Sequence, residues 1–189
     1  MNVEEKKKIA EDINTSDEML ETLSKDADSK VRWMVSRNTK APLSALKRLM
    51  KDPAYVVRWS VAENPNTTTP MLELMSKDAN DWVRVYVAFN KNTPSHILDN
   101  LSTDKSAVVR FAVATHSRTL SSTLERLSKD KEAYIRYTVV KHPNTSMPVL
   151  ETLTKDEDIW VRLCLLSKRG SDLSEDALEA LVKDNLRLV

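Results

Sequence analysis

A register of 26 residues constrains this chain more than any other feature of its sequence. An arginine falls at Arg32, Arg58, Arg84, Arg110, Arg136 and Arg162, and an aspartate stands six positions before each, at Asp26, Asp52, Asp78, Asp104, Asp130 and Asp156. The phrase is clearest from Val57 to Thr67, Val-Arg-Trp-Ser-Val-Ala-Glu-Asn-Pro-Asn-Thr. Six copies without an insertion or deletion define a repeat array, in which each unit buries its apolar face on the next. Full repeats run 14–39, 40–65, 66–91, 92–117, 118–143 and 144–169.

Each repeat reads as a helical hairpin. A short first helix carries a pair three apart: Leu20/Leu23, Leu46/Leu49, Leu72/Met75, Leu98/Leu101, Leu124/Leu127 and Leu150/Leu153. That spacing puts both residues on one face. It also suits some 3₁₀ character, because i and i+3 eclipse there. The Asn-Thr at Asn66-Thr67 and Asn92-Thr93 is expected to cap this helix through the Thr hydroxyl, and the ladder Asp to cap the second. A longer second helix carries Val31/Val35, Val57/Val61, Val83/Val87, Val109/Val113, Ile135/Val139 and Val161/Leu165, an i, i+4 core stripe. Asn38, Asn64, Asn90, His116 and His142 are expected to end it, in the left-handed conformation that Asn tolerates.

The expected fold is all-α: an α-solenoid of six 26-residue hairpins with a capping half-repeat at either end, forming a single repeat domain over 1–189. Residues 1–13 form the N-terminal cap, since Glu5-Lys6 replaces the Val-Arg pair; 14–169 hold the repeats, and 170–189 a C-terminal half-repeat. One glycine and one cysteine argue against phosphate-binding glycine loops and internal disulfides. With 29 Lys+Arg against 28 Asp+Glu, net charge is +1, which gives no global attraction to nucleic acid or membrane. No apolar run approaches the length of a membrane span, so the expected compartment is the cytoplasm.

The pattern Asn-x-x-Thr-(Pro)-x3-Leu-x2-Leu-x2-Asp-x4-Val-Arg-x2-Val-Ala resembles the leucine-rich repeat variant family and, more distantly, HEAT-like repeats. Its best copy runs from Asn90-Lys-Asn-Thr-Pro-Ser-His-Ile-Leu98 to Asp104 and Val109-Arg110, and the resemblance covers about residues 9–184. It implies alternating α and 3₁₀ helices stacked into a right-handed superhelix. Some members carry a cysteine cluster for an iron–sulfur centre, but this chain has no such cluster. The HEAT-like resemblance also implies that Asp52, Arg58, Asp78, Arg84, Asp104, Arg110, Asp130 and Arg136 form an internal Asp/Arg ladder.

On a helical wheel the residue after each Arg lies about 200° from the first core aliphatic. This is Trp33, Trp59, Val85, Phe111, Tyr137 and Leu163. Tyr55 and Phe89 flank it one turn away, and the three rows together hold four charges among eighteen residues. An apolar strip opposite the core marks a protein- or peptide-binding face. If curvature packs the rings between repeats instead, they are core.

A nucleic-acid reading, with the Arg row on phosphates and the rings stacking bases, is the alternative. Weak self-association through the strip is a third, against a monomer. No catalytic set stands out, and no cofactor or metal is expected. His96 lacks a partner at metal spacing, and Asp26-Ala-Asp28 and Asp156-Glu-Asp158 lack the glycine and closing Glu of a calcium loop. Cys164 is expected to be buried and inert.

Overall fold

The computed structural model describes residues 1–186, apart from the side chains at 172, 180 and 183–186; the last three residues of the C-terminal half-repeat, 187–189, lie outside the described residues. Among the described residues there are helices and turns but no strand. The chain is an α-solenoid of consecutive helix pairs. By packing it divides into two compact units, Met1–Ile97 and the segment from Leu98 onward, while the sequence register runs through both.

The first unit begins with α1 (Val3–Glu11) and continues with the pairs α2 (Asp17–Leu23) and α3 (Ser29–Arg37), α4 (Leu43–Leu49) and α5 (Tyr55–Glu63), and α6 (Thr69–Met75) and α7 (Asp81–Phe89). Helix α8 (Ser95–Leu101) runs across the boundary. The second unit holds α9 (Ala107–Thr115), α10 (Ser121–Leu127), α11 (Ala133–Lys141), α12 (Met147–Leu153) and α13 (Ile159–Arg169), then a 3₁₀ turn at Gly170–Asp172 and α14 (Glu175–Leu186). No described helix is long and apolar enough to cross a membrane.

Both core stripes are sealed, the Leu pairs and the Val/Ile pairs alike, from Leu20 at 0% to Leu101 at 4% exposed. Within each unit the long helices pack on one another: α1, α3, α5 and α7 in the first, α9, α11 and α13 in the second. Such close approach needs small side chains. Ser36, Ala62, Ala88 and Ala114, four residues after the Arg, supply them and are fully buried. The short helices are seven-residue α-helices. Bonds of 3₁₀ type stand at their ends: at the exit Asp52 N–H bonds to the Leu49 carbonyl three residues back and Asp78 to Met75, and at the entry of α8 Ile97 bonds to Pro94.

Three capping expectations need correction. The Thr hydroxyl turns backward: Thr93 Oγ1 donates to the Val87 carbonyl at 2.5 Å, and Thr119 and Thr145 donate likewise to Val113 and Val139 at 2.6 Å. It closes the long helix behind it. The ladder Asp is not the cap of the long helix but makes an Asx turn, Asp52 Oδ1 accepting from Ala54 N at 2.9 Å, and the cap position is the residue two later. The Asn at the end of the long helix is extended (φ −60° at Asn64, ψ 129°), and no non-glycine residue has positive φ among the described residues.

Extended backbone there lets the Asn side chain reach the preceding repeat. Asn64 Nδ2 donates to the carbonyls of Ser36 (2.8 Å) and Asn38 (3.1 Å), while its Oδ1 accepts from Asn66 N. Asn38 does the same toward Ala10 and Asp12. His142 fills this place with its ring: Nε2 lies 3.0 Å from the His116 carbonyl and Nδ1 accepts from Asn144 N. At the end of α13, where the register places Lys168, Arg169 reaches back to the His142 carbonyl instead.

Candidate functional site

The Asp/Arg rows form a ladder that joins repeats. Arg58 Nε and Nη2 make a fork onto the carboxylate of Asp78 in the next repeat, at 2.7 and 2.9 Å. Its Nη1 donates to the main-chain carbonyl of Asp52, the aspartate six residues earlier. Arg32 with Asp52, Arg110 with Asp130 and Arg136 with Asp156 repeat the fork. Arg84 donates to the Asp78 carbonyl, and Asp104 accepts from Ser106 N, in the same manner as their counterparts. Lys6 stands one period before Arg32 and holds Asp26 at 2.7 Å, a rung that the polar reading of Glu5-Lys6 missed.

Burial acts to raise the Asp130 carboxyl, but the bonds from Arg110 and from the Glu132 amide outweigh it and hold the group below its usual range. Arg110 is raised in turn by its bond to Asp130. These guanidiniums place their N–H donors inside the protein, and fork geometry suits them to that role.

The strip predicted after each Arg is neither sealed nor fully open. Trp33, Trp59, Phe111, Tyr137 and Leu163 are half-buried. Val85 is 3% exposed and belongs to the core, its side chain too short to reach out as the rings do. The half-buried rings lie in grooves between successive long helices. Trp59 stacks on Tyr86 of the next repeat, centroids 4.4 Å apart and planes at 19°, and Tyr86 meets Phe89 edge-on at 6.4 Å. Phe111 leans on Tyr134 of its next repeat, 5.7 Å apart and tilted by 57°. Burial pushes the Cys164 thiol up against the pull of its hydrogen bond with Tyr137.

On the long helices the more exposed apolar side chains sit slightly further round. In the first unit they are Tyr55, Trp82 (50%) and Phe89; in the second, Val108, Tyr134 and Trp160 (69%). Tyr55 and Phe89 were legible as flanks of the strip. Trp82, Tyr134 and Trp160 occupy the position two before the Arg, about 260° on the wheel, where three aromatics in six repeats were the available signal. Arg37 covers the Trp33 ring at 4.8 Å and Lys141 the Tyr137 ring at 5.4 Å.

A helical repeat array with an apolar, partly open row of side chains on its long helices belongs to the structural class of α-solenoids. Among solved structures the chain is similar to a leucine-rich repeat variant with a novel repetitive structural motif, at 27% identity over 82% of this chain and 73% of that one, with a TM-score of 0.41. It is also similar to the X-ray structure of YibA from E. coli, at 16% identity over 97% of this chain and 80% of that one, TM-score 0.61, a likeness of fold alone. The sequence matches no described protein family and no curated protein.

Proposed function

We propose that this chain is a non-catalytic scaffold that binds a protein or peptide along the aromatic rows of its long helices. The repeat fold supports a scaffold or interaction role in general terms. The finer reading is carried by one observation: Trp82 and Trp160, large apolar side chains with no folding duty, stand 50% and 69% open beside half-buried rings. Large exposed aromatics of this kind anchor partners, because they bury much area with few rotatable bonds. A partner lying across the rows would occupy the grooves and leave the ladder intact. The nucleic-acid reading needs the Arg row for phosphates, and the forks to Asp52, Asp78, Asp130 and Asp156 engage those guanidiniums.

Peptides selected from a displayed random library on the immobilised chain test the reading. Trp82→Ser with Phe89→Ser, and separately Tyr134→Ser with Trp160→Ser, should each cost little stability, as exposed positions do. One or both pairs should lose the selected clones. Clones retained equally by both pairs, at unchanged melting temperature, would place recognition elsewhere. Light scattering on the same samples reads self-association.

A further inference from the structure

In the second unit the groove between α9 and α11 opens into a hollow of about 430 Å³, within the range of about 300–1,000 Å³ typical of specific sites. Phe111, Tyr134 and Tyr137 form its apolar walls, and Thr115, Thr138 and Lys141 its polar edge. Phe111 and Tyr134 meet at a tilt, so they line a cup for an inserted side chain and not a flat platform for a stacked base. One cation stands at the edge, since Lys141 Nζ lies over the Tyr137 ring.

The charge beside Lys141 has one sign, while Glu132 and Asp130 act on the Tyr134 wall at the other end of α11. The segments at the C-terminal ends of α9, α11 and α13, residues 115–119, 141–145 and 167–171, contain Arg118, Lys141, Lys168 and Arg169 and no Asp or Glu. They lie side by side, joined by bonds from His142 to the His116 carbonyl, from Asn144 to the Ser117 carbonyl and from Arg169 to the His142 carbonyl. Cations at helix C-termini commonly serve the unpaired carbonyls there. Arg169 does so here, on the Val140 and His142 carbonyls, whereas after α9 the carbonyls are taken by Thr119, His142 and Asn144 and that of Val139 by Thr145, so among the described residues no bond to a carbonyl at these helix ends accounts for Lys141.

We propose that this hollow receives an acidic segment of a partner protein, with a bulky apolar side chain between Phe111, Tyr134 and Tyr137 and a neighbouring carboxylate on Lys141. The assignment rests on the peptide-binding reading above and names the partner's chemistry. Electrostatic complementarity at the edge fixes orientation and excludes basic segments, while the apolar insertion supplies most of the affinity.

Three fluorescent probes test it on the full chain: a peptide alternating leucine and glutamate, the same peptide with lysine for glutamate, and a single-stranded oligothymidylate. The acidic peptide should bind saturably and more weakly as salt rises. Lys141→Glu, at an exposed position, should weaken it about three- to tenfold and improve the lysine peptide, as reversal of one exposed charge does. Tyr134→Ser should weaken both peptides, and the melting temperature of each variant shows that it is folded. An equal or better affinity for the lysine peptide, or no change with Lys141→Glu, would overturn the assignment. If Tyr134→Ser still abolished lysine-peptide binding, the peptide-binding reading itself would stand. Tighter binding of oligothymidylate would make the edge a phosphate reader and end the proposal. If none of the probes bound and library selection were also empty, both readings would fall.

Discussion

Removing one cation from the Asp/Arg ladder offers a quantitative test of what joins the repeats. Arg110 forks onto Asp130 with bonds of 2.6 and 2.9 Å, and the two side chains are only 9% and 6% exposed. Arg110→Met leaves the Asp130 carboxylate with the Glu132 amide, 3.0 Å away, as its remaining donor in the ladder. Two charge-assisted bonds at about 1.5–3 kcal/mol each are lost together, and breaking a buried pair from one side costs about 3–5 kcal/mol. A loss of that size is the expectation. Arg110→Met with Asp130→Leu removes both charges, so the buried-ion penalty disappears. What remains is the lost Asx turn at Glu132 and the unfilled carbonyl of Asp104, about 1–2 kcal/mol in all.

The double variant should therefore be more stable than Arg110→Met alone. Lys6 and Asp26 supply the internal control: the same rung with side chains 28% and 10% exposed, where Lys6→Met should cost about 1 kcal/mol or less. Urea unfolding followed by far-UV circular dichroism reads the helices of both units together. Tryptophan emission, from Trp33, Trp59 and Trp82 against Trp160 alone, weights the first. Equal losses for Lys6→Met and Arg110→Met, or a double variant as unstable as the summed singles, would refute the claim that the ladder is a buried, coupled set of charges.

Two further outcomes follow from side chains at the repeat junctions. Burial lowers the His142 pKa against the pull of its bond to the His116 carbonyl, and a proton on Nδ1 would face the Asn144 amide donor. Below about pH 6.5 the unfolded chain takes up that proton while the folded chain resists, so stability falls as pH drops through that range. His142→Asn keeps the donor and acceptor in place; its urea midpoint should change less between pH 7.5 and 5.5 than that of the parent, and an unchanged slope would contradict this account. The buried Ser60 hydroxyl has no hydrogen-bond partner among the described residues, so Ser60→Ala should raise stability by about 1 kcal/mol, and a lower melting temperature would show that the hydroxyl is satisfied.

Periodicity in the sequence was enough to locate both core stripes, because a residue such as Val61 or Leu98 is buried by its own helix's orientation. Contacts between repeats were harder to read. Arg58 has an aspartate six residues before it and another twenty after it, and sequence spacing alone does not show which one gives its carbonyl and which its carboxylate. The same holds for Thr93, whose hydroxyl has candidate partners on both sides; it turns backward onto the Val87 carbonyl near the end of α7, which accepts from the Asn90 amide as well. Asn64 looked like a left-handed cap since a wheel ends with its own helix. Its amide instead needs an extended backbone to reach Ser36, one repeat away.

The aromatic strip shows what a helical wheel omits. A wheel gives the angle of Trp59 but not the reach of Tyr86 from the neighbouring repeat, whose ring covers one face of it. It likewise ranked Val85 with Trp59, although a short side chain at that angle stays between the helices and is buried.

The internal repeats separate folding from recognition more sharply than burial does. Positions that join repeats vary little: six Asp, six Arg, and Asn or His at the end of five successive long helices. Arg32, Arg58, Arg110 and Arg136, and Asn38, Asn64, Asn90 and His142, are held by bonds that the neighbouring copy supplies, so change there breaks a rung. The position after the Arg runs Trp, Trp, Val, Phe, Tyr, Leu, and the one two before it Lys, Val, Trp, Val, Tyr, Trp. Stacking sets little beyond apolar character at the first and almost nothing at the second. A surface that the fold leaves free would be expected to drift toward polar residues, which helix formation tolerates equally well. That it holds exposed Trp82, Tyr134 and Trp160 instead, each between rungs of an unvarying ladder, argues that something other than the fold selects them.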